Sequence, residues 1–155
     1  MKYLECVSDI ITHPEIREME NFAQHSNCNR LRHSLYVSYY SYLVCRRLGL
    51  DAKSAARGGL LHDFFLYDRR NTDAPKGMHG IVHPRMALKN ASGVFEPNRI
   101  EKDIIRRHMF PLTITPPRYK ESFVVMGIDK YCACVEAFDL IKHTGVLALW
   151  EFLPA

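Results

Sequence analysis

The stretch Ala56-Arg57-Gly58-Gly59-Leu60-Leu61-His62-Asp63 decides the fold. Ala52, Ala55, Ala56 and Gly59 share one side of a helix, and small residues there let a neighbouring helix come close. The same stripe runs on into His62, Asp63 and Leu66. An imidazole beside a carboxylate, at the end of an apolar helix, sets two polar groups where water is scarce. Each needs a partner, and a divalent cation satisfies both. Adjacent helical positions diverge by ~100°, yet a long imidazole and a short carboxylate still converge on an ion lying between them. A bare His-Asp pair is common by chance, so weight falls on ligands elsewhere in the chain.

Upstream, Asp51 caps this helix and Gly49 ends the one before it. That earlier helix, over 29–48, is apolar on two sides: Leu31, Leu35, Tyr42 and Cys45 on one, Val37, Tyr40 and Val44 on the other. A helix apolar on both sides is central, and His33 lies on the second stripe. Residues 3–12 repeat apolar groups at helical spacing (Leu4, Val7, Ile10, Ile11). Pro14 opens a second helix with Ile16, Met19, Phe22 and Ala23 inward, and the polar stretch 24–29 reads as a loop. His13 and His25, at the ends of that helix, are expected to be caps or solvated.

Downstream, 67–80 is the longest stretch without helical pattern and holds Asp68, Arg69, Arg70, Pro75, Gly77 and Gly80. Such a connection is usually functional or mobile. Pro84 is expected to open a short helix over 84–90, with His83 at its start. A helix over 97–109 turns Ile100, Ile104, Ile105 and His108 inward and Arg99, Lys102, Asp103 and Arg106 outward. After a breaker-rich loop at 110–117, a last helix spans 120–143, packed by Phe123, Val124, Ile128, Tyr131, Val135 and Phe138. Asp129 shares a face with Val125, Met126, Cys132, Ala133 and Glu136, where a carboxylate must be paired or bound to metal. Strand-like alternation is nearly absent. The expectation is an all-α bundle of five or more helices, one domain over 1–155, with its core at 29–143. N-terminal helices over 3–25 and a tail over 144–155 pack on that core.

No apolar run reaches the ~18–20 residues of a membrane span, and the N-terminus lacks the pattern of a secretion signal. The expected compartment is the cytoplasm. Five cysteines, an odd number without Cys-x-x-Cys spacing, argue against both a disulfide framework and a zinc ribbon. Of the 21 basic residues, 13 are arginine, several in pairs (Arg46-Arg47, Arg69-Arg70, Arg106-Arg107), and the arginine fork suits phosphate. No long basic stripe with interleaved aromatics occurs, so nucleic acid is not indicated as an obligate partner.

Together, His33, His62-Asp63, His83, His108 and Asp129 put a histidine or carboxylate on the inner face or end of each major helix. This pattern resembles the HD superfamily of metal-dependent phosphohydrolases, in which a histidine, a His-Asp doublet and a distant aspartate recur. The context is similar too: His33-Ser34-Leu35-Tyr36-Val37 heads a helix, the 56–61 stretch leads into the doublet, and Asp129-Lys130-Tyr131 lies late in the chain. His83-Pro84 and His108 fall where the HD-GYP phosphodiesterases and diadenosine-polyphosphate hydrolases of the superfamily have extra ligands. The resemblance implies a two-metal site, with Asp63 bridging two divalent ions and His33, His62, His83, His108 and Asp129 around them. Iron or manganese is implied first, although ligand type also admits nickel, cobalt or zinc. Phe64-Phe65-Leu66 departs from relatives that carry a lysine there, and the Gly-Tyr-Pro motif is absent.

The implied activity is hydrolysis of a phosphate ester or anhydride, of a nucleotide first of all, with hydroxide held between the ions for in-line attack. Lys130 and Arg85 are the candidates for binding the charged substrate, and His79 for donating a proton or acting as an alternative ligand. The 67–80 and 111–117 loops are expected to shape the pocket. The implied partner is a small phosphorylated molecule and not a membrane, with a homo-oligomer left open. Two other readings share the ligand set: a diiron oxygenase of the same superfamily, and a module that binds metal or nucleotide without catalysis.

Overall fold

The first helix, α1 (Tyr3–Ile11), buries Tyr3, Cys6, Val7, Ile10 and Ile11, the period its apolar residues dictate. The structure is a computed structural model and describes residues 2–25, 28–68 and 77–137. Pro14 does open α2 (Pro14–Arg17), but this helix does not continue to Ala23. It tightens into a 3-10 turn, Glu18–Asn21, and Phe22 leaves in extended backbone. The stretch read as a loop then forms a small antiparallel hairpin, β1 (Ala23–His25) with β2 (Cys28–Asn29). Arg30 N donates to the Phe22 carbonyl at 2.8 Å and pins the hairpin to the next helix.

Asn29 starts α3 (Arg30–Arg47) by accepting a hydrogen bond from Arg32 N at 2.8 Å. Gly49 follows α3 at φ +67°, the left-handed geometry that favours glycine after a helix. Asp51 caps α4 (Ala52–Leu61) through Ser54 N at 2.9 Å. The small-residue stripe does what its composition dictates. A Cβ on Gly59 would lie 3.0 Å from Ser38 Cα, so α3 and α4 cross nearly backbone to backbone. Ser38 Oγ donates to the Ala56 carbonyl at 2.7 Å across this crossing. Arg57 ties α4 to α1 through Asp9 and to the neighbouring helix through Glu101.

Helix α5 (His79–Val94) begins five residues earlier than the proline signal indicates and carries Pro84 inside it. The ring of Pro84 removes only one amide bond so near the N-terminus, which the helix tolerates. His83 therefore lies on the helix and not at its start. Asn98 and Glu101 form a capping box for α6 (Arg99–Arg107). Asp103, expected outward, is buried instead, its oxygens taken by Arg107 Nε and Arg118 N.

On α7 (Lys120–Ala137) the face expected to carry Asp129 turns inward, but two residues expected to pack the helix do not. Phe123 and Tyr131 are about half exposed, while Val125, Asp129, Cys132 and Glu136 turn in. The architecture is all-α, with α3 and α4 at its centre and five helices aimed at one polar cluster. Residues 69–76, with Arg69 and Arg70, lie outside the described residues, as do the end of the last predicted helix and the 144–155 tail. No described helix is long and apolar enough to cross a membrane.

Candidate metal centre

Four histidines reach one point from four helices. His33 sits in the first turn of α3 and His83 on α5, while His62 and His108 are the C-terminal caps of α4 and α6. Each ring is anchored by Nδ1. His62 donates to the Gly59 carbonyl at 2.7 Å, His108 to the Ile105 carbonyl at 2.9 Å and His83 to the His79 carbonyl at 2.9 Å. His33 Nδ1 meets the Glu136 carboxylate at 2.9 Å. A carbonyl oxygen only accepts, so Nδ1 of those three rings carries a proton, which leaves Nε2 as the atom that faces the carboxylates or takes an ion. All four Nε2 atoms point into the cluster.

Two carboxylates complete it. Asp63 Oδ2 lies 3.5 Å from His62 Nε2, while Oδ1 lies 3.2 Å from His83 Nε2 and 3.6 Å from His108 Nε2. Asp129 Oδ1 lies 3.0 Å from His33 Nε2 and 3.4 Å from His62 Nε2. Two groups of donor atoms could each hold an ion, His33–His62–Asp129 and His62–Asp63–His108. Three observations fit a bound cation. His62 Nε2 and Asp63 Oδ1 are buried without a hydrogen bond. His83 Nε2 and His108 Nε2 face each other at 2.9 Å with no proton assigned between them. The Nδ1 anchors are those that orient metal-bound histidines.

The electrostatics of the cluster follow from burial and mutual contact. Burial raises the Asp63 carboxyl, but His62, His83 and His108 outweigh it and hold the group well below the usual carboxylate range. Asp129 is likewise lowered against burial by His33 and His62. Burial opposes a charge on His33, yet Asp129 and Glu136 lift it to about 10. Burial together with His62 drives His108 down to about 3, so it is neutral at any ordinary pH.

Support for the cluster comes from residues the sequence did not single out. Arg30, 2% exposed, lies over the Phe65 ring at 3.6 Å and donates to the Phe65 carbonyl at 2.6 Å. Its Nε also donates to Gln24 Oε1 at 3.3 Å, and Gln24 Nε2 donates to Asp63 Oδ2 at 2.5 Å. Phe64 and Phe65 are core residues in this arrangement, which accounts for apolar side chains directly after the doublet. Glu136 lies seven positions after Asp129, on the same face of α7, and that spacing was the one available signal for it. Nothing in the local pattern marked Gln24 or Arg30.

A pocket of about 330 Å³ opens onto the cluster and is lined by Gln24, Asp63, His79, His83, His108, Leu112, Asp129 and Lys130 among others. Lys130 Nζ donates to the His108 carbonyl at 2.9 Å, and burial lowers its ammonium pKa, with Asp129 partly offsetting this. His79 stacks on His83 with ring centres 4.7 Å apart. Arg85 is not brought to this pocket; it lines a neighbouring groove with Arg106 and Arg107.

Comparison with known proteins agrees with this geometry. The HD domain pattern matches residues 30–141, from the start of α3 past the end of α7. Ribonuclease Y of Nitratidesulfovibrio vulgaris (strain Hildenborough) is 30% identical over 115 residues, 74% of this chain and 19% of its own length. Ribonuclease Y of Aquifex aeolicus (strain VF5) is 33% identical over 105 residues, 68% of this chain and 17% of its own length. Ribonuclease Y of Protochlamydia amoebophila (strain UWE25) is 39% identical over 88 residues, 56% of this chain and 16% of its own length. The chain thus spans under a fifth of these relatives. No solved structure matches it. The matched segment carries all six clustered side chains, and the chain belongs to the HD domain family.

Proposed function

We propose that this protein is a metal-dependent phosphohydrolase that opens a phosphate ester or anhydride, in a nucleotide or a nucleotide chain, at a site for two divalent ions. One observation carries the reading: four inward Nε2 atoms face two carboxylates, and among the described residues His62 Nε2 and Asp63 Oδ1 are buried there without a hydrogen bond. His33, His62, Asp129 and Asp63 Oδ2 would hold one ion, and Asp63 Oδ1, His83 and His108 the other. Iron and manganese suit this nitrogen- and oxygen-rich set. Bound divalent ions supply Lewis-acid activation of water and charge neutralisation at a phosphoryl group.

The chain's own residues do the rest. Asp63 is kept ionised by the three histidines around it, so a single carboxylate can serve both sets of ligands. Gln24 fixes Asp63 Oδ2 by its amide, and Arg30 fixes Gln24. Lys130, at the pocket wall beside Asp129, binds a non-bridging phosphoryl oxygen. His79, in the pocket mouth and stacked on His83, hands a proton to the departing oxygen. That the relatives are ribonucleases by name fits a phosphodiester in an RNA strand as the bond opened.

The test is hydrolysis of phosphomonoesters, dinucleotides and short RNA by protein loaded with manganese or ferrous iron. Phosphate-ester cleavage is expected, and Asp63→Ala should abolish both turnover and metal retention. Near-normal turnover in that variant, or oxygen uptake in place of hydrolysis, would contradict the proposal.

A further inference from the structure

Beside the metal pocket the chain carries basic side chains that the hydrolytic reading leaves without a task. A second groove, of about 420 Å³, lies between α5, α6 and the loop after α6, and Leu112 lines both it and the metal pocket. Arg85, Arg106 and Arg107 line this groove and no acidic residue does. Arg107 is committed to structure: Nε pairs with Asp103 at 3.0 Å and Nη1 donates to the Pro116 carbonyl at 2.6 Å, which straps the loop to α6. Arg85 and Arg106 are exposed, and neither forms an ion pair among the described residues.

Two uncommitted guanidinium forks in a groove that no carboxylate lines make a receptor for phosphate oxygens. The basic surface continues beyond Arg106 into a further groove with Arg99 and Lys102. Arg99 to Arg106 covers about 10 Å along the helix. A track of this length beside a phosphate-cleaving pocket suits a chain of phosphates and exceeds what one nucleotide needs. The cluster itself is recessed, with Asp63 only 3% exposed. A flexible single strand can bend into such a pocket; a duplex, stiff over about 150 base pairs, cannot.

We infer that the Arg85–Arg106 groove holds a second phosphate of the substrate, so that the protein selects single-stranded oligonucleotides over mononucleotides. The inference rests on the phosphohydrolase reading for the position of the phosphate being cleaved, and deepens it by naming the substrate class. The arginines are far apart in sequence, at 85 and 106, which is why no basic stripe was visible there.

The test is fluorescence anisotropy of a labelled ten-nucleotide single-stranded RNA with the full chain, in chelator so that nothing is cleaved, at several salt concentrations. Replacing Arg85 and Arg106 together by alanine should weaken binding by about tenfold at low salt. It should also lower the slope of log affinity against log salt by about 0.7, the share of the one phosphate of a single strand that is no longer neutralised. Labelled adenosine monophosphate should bind both proteins alike, and Lys53→Ala, on the exposed side of α4, should change neither quantity. Three results would overturn the inference: no RNA binding by the wild type, unchanged affinity and slope in the double variant, or an equal loss with Lys53→Ala or with the mononucleotide. Absence of hydrolysis with every metal would instead remove the catalytic reading and leave this binding result standing.

Discussion

Glu136 shows how much one carboxylate outside the inner cluster can control. It holds His33 Nδ1 and, with Asp129, lifts the ring to about 10 against the opposing effect of burial. Glu136→Gln keeps the shape but gives up the charge, so the His33 ring loses basicity and orientation. Partners of metal-bound histidines typically matter by about 10- to 100-fold in affinity. A loss of metal affinity in that range, read by competition with a chelator, is the expected outcome; unchanged affinity would make Glu136 a bystander. Most residues of the cluster were legible from the chain because each is a histidine or aspartate on a helical stripe. Gln24 and Arg30 were not, since their roles depend on a hairpin and a cation–aromatic contact between segments that only the folded chain brings together.

Among the elements, the α3–α4 crossing is the most exacting. Alanine at position 59 gains about 1 kcal/mol of helix propensity over glycine. Its methyl, however, would press on Ser38 Cα and N at 3.0 and 3.2 Å, backbone atoms in the middle of a long helix that cannot swing aside. Overpacking of this kind costs about 1–3 kcal/mol, so Gly59→Ala should be net destabilising, by up to about 2 kcal/mol, in denaturant unfolding. A stabilised variant would show that the two helices can separate freely. The small-residue stripe, the cap at Asp51 and the glycine stop at Gly49 were all readable, because each is a local rule with a local cause. The start of α5 and the exposure of Phe123 and Tyr131 on α7 were not. A proline inside the first turns imitates a helix start, and a large apolar side chain on a helix surface reads like a core residue.

For the whole molecule, metal and protons compete for the same nitrogen. With no metal bound, folding raises His33 from an ordinary value of 6.5 to about 10. The stability gained from its imidazolium–carboxylate pairs is therefore fully present below pH 6.5 and is lost as pH rises through 10. An ion at Nε2 needs the neutral ring, so its affinity rises over the same window. The gap in Tm between metal-loaded and chelator-treated protein should widen steadily from about pH 6.5 to about pH 9.5; a narrowing gap would contradict the pairing described here. The proposed site for two ions is built on six side chains. The measurement that tests it most directly is elemental analysis, in ions per chain, of the wild type and of His83→Ala and His108→Ala. The expected result is about two iron or manganese ions in the wild type and about one in each variant. One ion in the wild type, or two retained by both variants, would contradict it.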